Sequence, residues 1–63
     1  MSEKEAAARL ELTKRLEKLT GYDLDEIDEI IDLEVDSYGS NQNALDDWPH
    51  IELRFDNSLS KSR

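Results

Sequence analysis

Positions 23–36 of this 63-residue chain hold eight carboxylates and no basic residue: Asp23, Asp25, Glu26, Asp28, Glu29, Asp32, Glu34 and Asp36. The flanking segments are almost balanced, so the formal net charge of −8 is concentrated here. Apolar residues interrupt the acids throughout, so the stretch must fold with one wet and one dry side. At 100° per residue a helix gathers Asp25, Asp28, Glu29, Asp32 and Asp36 on one side, and Leu24, Ile27, Ile30 and Ile31 on the other. Such a stripe sets like charges one turn apart at 25/29, 28/32 and 32/36. Each pair costs about 0.2–0.5 kcal/mol, in a domain with only ~5 kcal/mol of net stability. A charge run is ordinarily a solvated face. The functional alternative is a surface kept acidic to meet a basic partner.

One domain of this size sits near the limit at which a single core suffices, and disulfides, metals or association often help. The chain has no cysteine and one histidine, His50. That excludes disulfides, thiolate metal sites and thiol nucleophiles, and leaves no multi-histidine metal site. Association is the remaining support, and a homodimer is expected. Acids and bases interleave in the first 16 residues with no continuous apolar run, so neither a signal peptide nor a membrane span is expected there. The expected location is cytoplasmic, meaning the host cytoplasm if the source is a phage. An isoelectric point near 4.4 argues against direct contact with nucleic acid or anionic lipid.

Taken in order, Ser2 followed by Glu5 has capping-box spacing and starts a helix. Lys14, Arg15 and Lys18 collect toward its far end, where the macrodipole is negative, and Gly21 supplies a left-handed stop. Ala8, Leu12, Leu16 and Leu19 form its apolar stripe, while Leu10 points away from them. Asp23 caps a second helix, with Glu26 three residues on. The short connection predicts an antiparallel hairpin.

Residues 31–36 also alternate strictly, with Ile31, Leu33 and Val35 against Asp32, Glu34 and Asp36. A continuing helix would expose Leu33 and put three acids at the negative end of a dipole. The pattern therefore favours a helix ending near Asp32 and a strand after it, and Asp36 joins the acidic stripe only if the helix continues. Residues 37–49 read as a loop, with a turn of helix at Ala44 and Leu45. Residues 50–56 alternate again, with Ile51, Leu53 and Phe55 facing one way. The expectation is an α+β domain over residues 1–57: an N-terminal antiparallel helical hairpin packed on a short C-terminal β-hairpin or single strand. Residues 58–63 read as a disordered polar tail.

The acids match a calcium loop at Asp23, Asp25 and Glu34. They fail where Ile27 replaces a ligand and Asp28 replaces the turn glycine. A general acid needs a carboxyl desolvated in a pocket, which two helices and a hairpin hardly enclose. No enzyme activity, cofactor or metal is expected, and a DNA-reading helix is excluded by charge. Trp48 reads as a cap on the core from the loop, and the functional alternative is that Trp48 or Tyr38 is an aromatic anchor in an interface.

The functional expectation is a small acidic inhibitor. Its stripe of Asp25, Asp28, Glu29, Asp32 and Asp36, with Tyr38 and Trp48, imitates a nucleic-acid backbone and binds a basic, nucleic-acid-handling protein. Proteins of this size and balance are common among phage-encoded inhibitors, so by analogy of type an anti-CRISPR or anti-restriction role is favoured. Two alternatives are an antitoxin-like or regulatory module binding through Leu10, Tyr38 and Trp48, and an assembly protein joined through its C-terminal strand.

Overall fold

The computed structural model describes residues 2–61. Four helices follow one another: α1 (Glu3–Thr20), α2 (Leu24–Tyr38), α3 (Asn41–Asp46) and α4 (Trp48–Lys61). Among the described residues there is no strand, so the α+β expectation is corrected to an all-helical domain. Residues 31–36 continue α2, and residues 50–56 lie inside α4.

Helical spacing wins in both places because it buries more. Ile27, Ile31, Val35 and Tyr38 recur at i, i+4, i+8 and i+11, and all four pack in or against the core. In α4, Trp48, Ile51 and Phe55 do the same at i, i+3 and i+7. The alternation is met by leaving its odd members outside: Leu33 is 73% exposed and Leu53 56%. Pro49, read from sequence as a strand boundary, falls in the first turn of α4, where its missing N–H would have had no intrahelical partner. Helix α4 runs on to Lys61 through much of the stretch expected to be a tail, whose last two residues lie outside the described residues.

The helix ends form as their residues dictate. Ser2, Asp23 and Ser40 each accept a hydrogen bond from the backbone N–H three residues on, at 3.2, 3.0 and 3.1 Å. Gly21 and Gly39 close α1 and α2 with φ of 76° and 94°, values that cost a residue with a Cβ but not glycine. The reciprocal half of the box at Ser2 is replaced by a longer-range contact. The Glu5 carboxylate accepts from the N–H groups of Asn41 (2.8 Å) and Gln42 (3.1 Å). It thereby caps α3 and ties it to the start of α1.

That tie, together with Arg9 against Asp28 and Asp32, pairs early α1 with the middle and far end of α2. The hairpin is therefore antiparallel, as expected. Leu12, Leu16, Ile27, Ile31 and Ile51 are the largest fully buried side chains, each worth about 1.5–3 kcal/mol of transfer free energy. Ala44 of α3 and Trp48 complete the cluster. Helix α1 is the hub, with α2 on one flank and α4 on another.

Candidate functional site

Because α2 is helical to Tyr38, Asp36 joins the acidic stripe. Asp25, Asp28, Glu29, Asp32 and Asp36 lie on one face, and all five are exposed. The stripe is about 16 Å long at 1.5 Å per residue. Its two edges differ from its middle. Arg9 reaches across from α1, and its Nη2 donates to Asp28 Oδ1 at 2.7 Å and Asp32 Oδ1 at 2.9 Å. The hydrogen bond to Asp28, followed by that to Asp32, raises the Arg9 pKa further above its ordinary value, so the guanidinium stays charged. On the opposite edge of α2, Glu34 turns toward α4, where Arg54 Nη2 donates to its Oε2 at 3.1 Å.

Between these edges, Asp25, Glu29 and Asp36 have no ion pair among the described residues. Leu33 stands beside them. The outermost band of α2 is thus three free carboxylates of the stripe along an exposed leucine, with Glu26, exposed and also without an ion pair among the described residues, on the leucine's other side. Sequence reasoning missed Arg9 as the counter-charge. The available signal was the spacing of Glu5, Arg9 and Thr13, which places Arg9 on a different flank of α1 from Arg15.

The two aromatic candidates lie elsewhere. Trp48 is only 8% exposed and belongs to the core, with the Arg15 guanidinium 5.6 Å from its ring centroid, a contact worth about 0.5–1 kcal/mol near the surface. Tyr38 is half-buried at the C-terminal end of α2, and its hydroxyl donates to the Asp47 carboxylate. His50 Nδ1 lies 2.8 Å from the other oxygen of Asp47. The Tyr38 hydrogen bond, then that of His50, holds the Asp47 carboxyl below its ordinary range. Hydrogen bonding to Asp47, with burial second, pushes the Tyr38 hydroxyl up. This network ties the end of α2 to the start of α4, and neither aromatic ring is presented with the acidic stripe.

Among the described residues no three acidic or histidine side chains cluster closely enough to hold a metal ion, and no helix is long and apolar enough to cross a membrane. No protein-family model, curated protein or solved structure matches this chain.

Proposed function

We propose that this is a small cytoplasmic, non-enzymatic protein that binds a basic surface on a nucleic-acid-handling protein and occupies it in place of the nucleic acid. The observation that carries the reading is the unbroken exposed stripe on α2, whose middle band has no internal counter-charge. Over its ~16 Å length it offers five carboxylates, and one DNA strand carries about five phosphates over the same rise. Two of the five share Arg9, so Asp25, Glu29 and Asp36 carry most of the attraction. Leu33 adds apolar contact beside them. An inhibitor of a nuclease or similar host enzyme is the class of action this chemistry suits. The strand-joined assembly alternative falls with the strand.

The test is affinity capture from bacterial lysate at low and moderate salt. It compares the native chain with one carrying Asp25→Asn, Glu29→Gln and Asp36→Asn, followed by elution with duplex DNA. Shape is kept, three free charges are removed, and no ion pair is broken. Capture of a nucleic-acid enzyme by the native chain alone, with release by DNA, is the expected result. Equal capture by both chains, or a captured protein that DNA does not displace, would refute backbone imitation.

A further inference from the structure

A groove runs between α1 and α4, away from the α2 stripe. It consists of two adjoining hollows of about 350 and 320 Å³ that share Leu19 and Glu52. The first is completed by Arg15, Lys18 and Trp48, the second by Pro49, Leu53 and Asp56. The charges are sorted. The α1 wall is basic, with Lys18 and with Arg15, whose Nε also donates to Glu11 at 2.8 Å; the α4 wall is acidic, with Glu52 and Asp56; and Leu19, the edge of Trp48, Pro49 and the exposed Leu53 form the apolar floor between them.

We propose that this groove is the contact surface for a second copy of the same chain. A face that is positive on one side, apolar in the middle and negative on the other is its own complement. A two-fold axis along the groove turns the second copy over, so its Lys18 wall lies against the first copy's Glu52 wall, and the reverse pair forms by symmetry. An axis across the groove sets like charges against like, which the same walls disfavour. Leu53 of each copy is then covered by the partner's floor. This goes beyond the α2 reading, because no α2 residue lines the groove, and either can fail without the other.

Sedimentation equilibrium of the full chain tests it across about 10 µM to 1 mM, a range that brackets a moderate self-affinity. The expected result is a monomer–dimer equilibrium. Lys18→Glu sets an acid against the partner's Glu52, and Glu52→Lys sets a base against the partner's Lys18, so each alone should weaken association at least about tenfold, as like charges meet. Mixed in equal amounts, the two variants should form a heterodimer about as strong as the parent homodimer. Arg15 is left in place because it stacks on Trp48. Leu53→Asp, on an exposed position that folding does not depend on, should also abolish the dimer while leaving the circular dichroism spectrum intact. A parent chain that stays monomeric throughout, variants that associate as the parent does, or a mixture no stronger than its separate components would overturn the proposal.

Discussion

Arg9→Met removes the cation that, alone among the described residues, joins α1 to the acidic stripe, and keeps most of the stem's packing. Arg9 is the less exposed partner, at 29% of its side chain, against 67% and 69% for Asp28 and Asp32. Ion pairs this wet contribute about 0.2–1 kcal/mol each. Losing them also uncovers the repulsion between Asp28 and Asp32 one turn apart, about 0.2–0.5 kcal/mol. The expected loss is about 1–2 kcal/mol at low salt. In a domain of this length each kcal/mol moves the melting temperature by about 4–8 °C, so a fall of roughly 4–16 °C is expected in melts followed by circular dichroism. At about 1 M salt, where the screening length is ~3 Å, the deficit should shrink to a fraction of that. Lys4→Met is the control, since it removes the same charge from an exposed position of α1 with no ion pair among the described residues. Partner capture should move the other way, because two more carboxylates are released to the stripe. A variant that melts within ~1 °C of the parent, or falls no further than Lys4→Met, would refute the reasoning.

Two further outcomes are expected. Glu5→Ala leaves the N–H groups of Asn41 and Gln42 without their acceptor at a part-buried helix start, and urea unfolding should show a loss of about 1–3 kcal/mol; Glu5→Gln, which retains one acceptor oxygen, should lose less, and equal losses would mean the cap is not what matters. The Tyr38–Asp47 hydrogen bond should make stability depend on pH at both extremes. The depressed Asp47 carboxyl contributes stability above its unfolded value that is lost as pH falls through the lower folded one, and the raised Tyr38 hydroxyl contributes stability below its unfolded value that is lost as pH rises through the higher folded one. Melts of the parent and Tyr38→Phe should therefore differ most between these limits and converge beyond them; a difference that does not vary with pH would contradict the assignment.

The parts of the fold legible in sequence are those set by local chemistry. Ser2, Gly21, Asp23 and the Ala8–Leu12–Leu16 stripe act through neighbours three or four residues away, and all appear where their spacing put them. Residues 31–36 and 50–56 point to strands in sequence and fold as helix because each carries both periods at once. In HIELRFD, Ile51 and Phe55 satisfy a helix while Ile51, Leu53 and Phe55 satisfy a strand. The choice depends on what lies opposite, and the deciding contacts come from far along the chain. The objection to a long α2 was three acids at its C-terminal end with no cation in the same helix. The structure meets it for two of the three, with Arg9 from α1 on Asp32 and Arg54 from α4 on Glu34, leaving Asp36 exposed to solvent, and no window of local sequence holds both members of either pair.

The placement of those two arginines also bears on why the stripe is acidic. Going round α2, the acids nearest its neighbours, Asp28, Asp32 and Glu34, are the ones with partners. The acids that face outward, Asp25, Glu26, Glu29 and Asp36, have no ion pair among the described residues. Folding has thus offset the charges that packing brings close to other helices and left the outermost ones bare. A requirement for solubility alone is met by interspersed charges with a net charge of roughly 2–8 in magnitude, a range that a less acidic stripe would still satisfy. A lysine at position 29 would turn the Asp25/Glu29 repulsion into an i,i+4 attraction, a gain of about 0.5–1 kcal/mol, without touching the core. Retaining like charges there holds the fold below the stability that a mixed surface would give, and the imbalance lies on a face that none of the described residues covers. A basic partner laid against that face would supply the missing counter-charge from outside.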